Sequence, residues 1–105
     1  MSLPSMIPVE ICPKDWGREI VLVNNELYCG KMLVFDTAGA KCSMHFHVNK
    51  TESWYVLHGH FIVNYIDTAT SKIITMKLDK GKSLHVPRFA PHQIISGCAG
   101  ATLIE

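Results

Sequence analysis

Charge of either sign is scarce in this chain, and so are the features that direct a protein to a membrane or a nucleic acid. Ten of the 105 residues are Lys or Arg and nine are Asp or Glu, a formal net charge of +1, and the lysines are scattered. The basic stripe that would track a phosphate backbone or an anionic lipid surface is therefore missing. No apolar run reaches the roughly 18–20 residues a membrane helix needs, and no basic stretch leads into an apolar one at the N-terminus. The expectation is a soluble, cytoplasmic protein whose partners include neither nucleic acid nor membrane. The four cysteines, Cys12, Cys29, Cys42 and Cys98, show no CxxC spacing and are too few for a disulfide scaffold, so free thiols are expected. Helical periodicity is absent too, as are internal repeats and low-complexity tracts. Met1, Ser2 and Leu3 carry no weight in this reading.

What the chain does have is apolar residues, 48% of the total, arranged with a period of two. Turn residues divide it at Asn24-Asn25, Thr37 to Gly39, Asn49-Lys50, His58-Gly59, Asp67 to Ser71, Asp79 to Gly81, Pro87 to Pro91 and Ser96 to Gly100. Between them lie candidate strands near 19–23, 28–36, 42–48, 53–58, 60–66, 72–78, 83–87, 92–96 and 101–105. About nine short strands in a single-domain chain predict an all-β fold, because closing the sheet hides its edges; a jelly-roll β-barrel follows. The barrel is assigned to residues 14–105. The Pro-rich stretch 1–13 stands apart as an N-terminal segment.

One constellation carries chemistry. In an extended strand, side chains at i and i+2 leave the same face, so His45 and His47 converge on one point. Glu52 follows across a four-residue connection that can return a carboxylate to that spot, and His92 supplies a fourth donor. Three imidazoles and a carboxylate suit one divalent transition metal ion, Zn, Mn, Fe, Ni, Co or Cu, and suit Ca poorly. Four such ligands on one side of an octahedron leave adjacent positions open, an arrangement found in catalytic sites more than structural ones. Strand parity places Ser43 with the two histidines and turns Cys42, Met44 and Phe46 away, which removes Cys42 as a ligand. Beneath the site, Trp54, Val56 and Ile94 are expected to form an apolar plug. His58, His60 and His85 are read as solvent-facing.

The spacing Gly39, five residues, His45-x-His47, four residues, Glu52, six residues, Gly59 resembles the first signature of the cupin family without a mismatch. In a chain of this composition such a match arises by chance on the order of once in ten thousand, so it counts as signal. Gly81, Pro87 and His92 resemble the second signature, with Phe89 where the pattern has Gly and Ser96 where it has Asn. Within the family, Trp16-Gly17, Glu19, Met44 and Glu52-Ser53-Trp54-Tyr55-Val56 resemble the small mannose-6-phosphate isomerase-like cupins and the C-terminal cupin domain of type II mannose-6-phosphate isomerases. There the histidine of the second signature is followed by a catalytic arginine; here Gln93 follows His92. The resemblance implies a homodimer built by lending a terminal segment, with Val9-Glu10-Ile11 as the candidate; a disordered N-terminal tail is the competing reading.

The resemblance implies a metal-dependent isomerase or epimerase acting on a small-molecule ligand such as a sugar or sugar phosphate. An Fe-dependent oxygenase and a non-catalytic, metal-supported binding or sensor module are the alternatives. Arg88, Gln93, Ser96 and Lys50 are the substrate-binding candidates: Arg88 as a planar fork for a carboxylate or phosphate, Gln93 and Ser96 as neutral hydrogen-bonding groups, Lys50 as a rim cation. A general base is not assigned, since Glu52 is committed to the metal.

Overall fold

The nine strands of the computed structural model are β1 (Glu10–Lys14), β2 (Gly17–Asn24), β3 (Cys29–Phe35), β4 (Glu52–His58), β5 (His60–Asp67), β6 (Lys72–Asp79), β7 (Ser83–Val86), β8 (His92–Ser96) and β9 (Thr102–Ile104). The structure describes residues 3–105, and Met1 and Ser2 of the N-terminal segment lie outside that range. No helix among the described residues is long and apolar enough to cross a membrane. A six-stranded sheet runs in the order β1-β2-β3-β9-β4-β7 and faces a three-stranded sheet of order β6-β5-β8, giving the all-β jelly-roll barrel the sequence leads one to expect.

Alternation of side chains turns one face of each sheet inward. In β4 the residues Glu52, Trp54 and Val56 are buried while Ser53, Tyr55 and Leu57 are exposed. The inner faces meet in a core of Phe35, Trp54, Val56, Phe61, Val63 and Leu103, each almost fully buried. Burying a side chain of this size stabilises the fold by roughly 1.5–3 kcal/mol before entropy is counted. The Phe35 ring stacks on Trp16 at 4.4 Å and meets Phe61 edge-on at 5.2 Å. Gly17 sits against the backbone of β3. Its φ is +152°, and a Cβ there would stand 2.0 Å from the Val34 carbonyl oxygen, so only glycine lets β2 lie this close to β3.

Two elements depart from the sequence reading. Residues 10–14, assigned to the N-terminal segment apart from Lys14, form strand β1, which pairs antiparallel with β2 of the same chain from Glu10↔Val21 to Lys14↔Gly17. The expected strand at 42–48 is not a regular strand. This segment meets β8 only at the isolated bridges Lys41↔Ile95 and His45↔His92. Four residue steps on one side face three on the other, so the segment bulges by one residue and its alternation is reset.

Candidate metal centre

The bulge sets the orientation of the site. His45 is tied to β8 through both backbone groups, its N–H donating to His92 O at 3.0 Å and its carbonyl accepting the His92 N–H at 2.9 Å. Cys42 N–H donates to Ile94 O at 3.1 Å. Cys42, Ser43, His45 and His47 all line one cavity of about 450 Å3. The parity argument that turned Cys42 away is therefore corrected, because the extra residue brings positions 42 and 45 round to the same side. Burial pushes the Cys42 thiol up to about 11, helped by the negative charges of Glu105 and Glu19. Among the described residues, all four cysteines are free.

His45, His47 and His92 come together as the sequence implies, with every candidate ligand atom within 4.8 Å of the others. The ring centroids are 5.0 Å apart for His45 and His47, 4.6 Å for His45 and His92, and 5.7 Å for His47 and His92. Two of the rings are oriented by backbone carbonyls: His45 Nδ1 donates to Ser43 O and His92 Nδ1 to Ala90 O, each at 2.8 Å. A carbonyl only accepts, so both Nδ1 atoms carry a proton, which leaves each Nε2 as the ring atom that would ligate. The Nε2 atoms of His47 and His92 are buried without any hydrogen-bond partner. Burial holds the His47 imidazole below its ordinary range, and the positive charge of Lys50 and the other imidazoles adds to this against the pull of Glu52.

Glu52, at the start of β4, faces the same cluster. Its Oε1 lies 2.5 Å from His47 Nε2, without hydrogen-bond geometry, and 3.4 Å from Lys50 Nζ. Its Oε2 accepts the Trp54 indole N–H at 3.0 Å, and the same N–H reaches Glu105 Oε2 at 3.1 Å. Although burial alone would raise it, hydrogen bonds from Glu105 and Trp54 and the nearby His47 and Lys50 keep the Glu52 carboxyl below its ordinary value. Glu105 goes the other way, to about 7, through burial, the charge on Glu52 and the hydrogen bond the two share.

Buried imidazole nitrogens without a hydrogen-bond partner are costly unless something collects them. Three imidazoles beside a carboxylate held in its charged form are the donor set of a borderline divalent transition metal, so the residues fit such an ion. Trp54, 5.4 Å from the His92 ring, and Ile94 line the cavity, and Val56 lies in the core; all three are buried as expected.

The four substrate candidates are dispersed. Lys50 lines the cavity. Gln93 lies on the opposite face of β8 from His92, where its Nε2 donates to Cys42 O at 3.1 Å and its Oε1 accepts from Asn64 Nδ2 at 3.4 Å, so it tethers the bulged segment. Ser96 is buried and donates to Thr37 O. Arg88 borders a different cavity, beyond His92. In place of the last three, the structure brings Lys14, Trp16, Glu19, Lys31, Lys41 and Glu105 to the metal-side cavity. Lys31 Nζ pairs with Glu19 Oε1 at 2.9 Å, and that hydrogen bond, opposed by burial, raises the lysine above its ordinary value. The signal for this pair was parity: Glu19 is the register partner of Leu33, and positions 31, 33 and 35 share the inner face of β3.

A closed double-sheet barrel carrying three converging imidazoles on a bulged segment and its neighbouring strand defines a class of barrel proteins. A family model described as Cupin matches residues 23–102, and the chain belongs to the cupin family. No curated protein matches it in sequence. Among solved structures it is similar to the Drosophila melanogaster CENP-C cupin domain, with a TM-score of 0.81 and 18% identity over 91% of this chain and 72% of that one. It is also similar to the capsular polysaccharide assembling protein CapF from Staphylococcus aureus, with a TM-score of 0.80 and 17% identity over 94% of this chain and 28% of that one. An oxalate decarboxylase variant from Bacillus subtilis gives a TM-score of 0.78 and 19% identity over 91% of this chain and 26% of that one. The chain thus spans about a quarter of each of the last two proteins, and at these identities the likeness is one of fold.

Proposed function

We propose that this cupin holds one divalent transition metal through His45, His47 and His92, with Glu52 completing the set, and uses it to bind and isomerise or epimerise a small sugar or sugar phosphate. The observation that carries the reading is the convergence of the three imidazoles, their candidate ligand atoms within 4.8 Å of one another, with His92 Nε2 buried and unpartnered and His47 Nε2 set against the Glu52 carboxylate. When bound, a divalent ion supplies Lewis-acid polarisation of a carbonyl or hydroxyl oxygen. The chain's own residues do the rest. Lys14, Lys41 and Lys50 line the cavity and offer positive charge to a phosphate, while the paired Glu19 and Lys31 present hydrogen-bonding groups to hydroxyls on the wall. The buried Trp54 keeps water from reaching the imidazoles through the core.

Two measurements test this. Metal content after dialysis against a mild chelator should approach one ion per chain in the wild type and fall clearly in His47→Ala and His92→Ala, since a missing donor leaves an incomplete shell. Calorimetric titration with mannose and mannose 6-phosphate, on metal-loaded and metal-free protein, should show binding that requires the ion, and turnover should follow in the loaded form. Negligible metal in every sample would overturn the metal site. Metal without sugar binding would reject the carbohydrate reading, and binding without turnover would leave a non-catalytic module.

A further inference from the structure

A second cavity, of about 540 Å3, opens on the other side of His92 and takes no part in the chemistry above. Its lining is mostly apolar: Val63, Met76, Leu84 and Val86 come from the inner faces of β5, β6 and β7. Apart from the buried His92, its polar groups stand toward its edge. Arg88 and Phe89 lie on the connection Pro87–Pro91 between β7 and β8, and among the described residues Arg88 has no ion-pair partner. Its guanidinium carbon sits 5.9 Å from the centre of the Phe89 ring, within cation–π range. Tyr65 borders the same space, as do Asp67, whose Oδ1 accepts the Ala69 N–H at 3.0 Å, and His85, whose Nδ1 lies 3.4 Å from Ser53 Oγ.

Phe89 is what makes this cavity more than a packing defect. Its φ is +66°, a left-handed conformation in which a side chain other than glycine is strained. The backbone needs that conformation, because Phe89 N–H donates to His47 O at 2.8 Å and anchors the segment bearing a metal ligand. The phenyl ring is not needed for it, since glycine would make the same turn and the same hydrogen bond without strain. Burial does not explain the ring either, as it is 55% exposed. A strained, exposed aromatic beside an unpaired guanidinium at the mouth of an apolar cavity matches one kind of occupant.

We infer that the second cavity binds a small carboxylic acid with an apolar body. The body fills the space over Met76 and Val86 beneath the Phe89 ring, and Arg88 grips the carboxylate at the mouth. This site stands independently of the metal and of the sugar reading. Its occupant would rest against the His92 ring, which walls both cavities.

The test uses the full chain with hexanoate, benzoate and 3-phenylpropanoate, each alongside its neutral amide, and follows the Met76 methyl resonance with Met32 as a control outside the cavity. At least one acid should shift Met76 saturably and bind about tenfold more tightly than its amide, the scale of one charge-assisted hydrogen bond. Arg88→Gln should bring the acid down to the amide's level, and Phe89→Gly should weaken both several-fold. Binding should persist in chelator-treated protein and in His47→Ala, so that failure of the metal site and failure of this one are told apart. No saturable shift of Met76 with any acid would overturn the inference, and so would an acid-to-amide ratio unchanged by Arg88→Gln.

Discussion

The backbone at Phe89 permits a test in which the usual order of two substitutions is inverted. Replacing Phe89 by Ala or by Gly removes the same half-exposed ring, so the loss of packing cancels between the two variants. Both keep the N–H that donates to His47 O at 2.8 Å. What differs is conformation: at a φ of +66° alanine carries the left-handed penalty and glycine does not. That penalty is about 1–2 kcal/mol, against which glycine loses about 0.5–1 kcal/mol through the greater freedom of its unfolded chain. The glycine variant should therefore be the more stable by roughly 0.5–1 kcal/mol, or on the order of 2–8 °C in melting temperature for a domain of this size. Denaturant unfolding of both variants, with equal m-values as the check on two-state behaviour, reads the difference directly. An alanine variant as stable as the glycine variant, or more so, would refute the strain assigned to Phe89.

Cys42, with its thiol pushed up to about 11, should alkylate on the order of a hundredfold more slowly at pH 8 than a thiol of ordinary pKa near 9, and speed up steadily as pH rises through its own value. Peptide mapping after a timed iodoacetamide pulse checks this against the exposed Cys29, and equal labelling of the two would refute it. On the outer face of the six-stranded sheet, register aligns Ile11, Ile20, Met32, Ile104 and Tyr55 in one cross-strand row, and Ile7 and Val9 are exposed just ahead of it. Light scattering should find a dimer that Ile11→Glu with Tyr55→Lys converts to a folded monomer; a monomeric wild type, or a charged variant that stays dimeric, would count against that interface. Gly17→Ala should destabilise by several kcal/mol, since its Cβ would stand 2.0 Å from the backbone oxygen of Val34, and a thermal melt unchanged from wild type would contradict the close approach of β2 and β3.

The sequence by itself determined the all-β architecture and most strand positions, because period-two alternation and turn residues are local signals that survive without knowledge of neighbours. It also determined which three histidines meet, since spacing within the motif and the later position of His92 reflect the order of strands around a barrel. Strand β1 was hidden by Pro13 and by a nearly all-exposed burial pattern, which lacks the alternation that marks a half-buried strand. Only the tertiary structure decided which other side chains share the site. One extra residue between Lys41 and His45, opposite β8, resets the facing of that whole segment and brings Cys42 inward, and a bulge is a property of two paired strands together. The same holds for Arg88 and Gln93. Arg88, on the connection that leads into His92, is carried to a second cavity, and Gln93, turned by alternation to the opposite face of β8, is taken up by the Cys42 carbonyl and Asn64, because contacts across strands decide what each side chain meets.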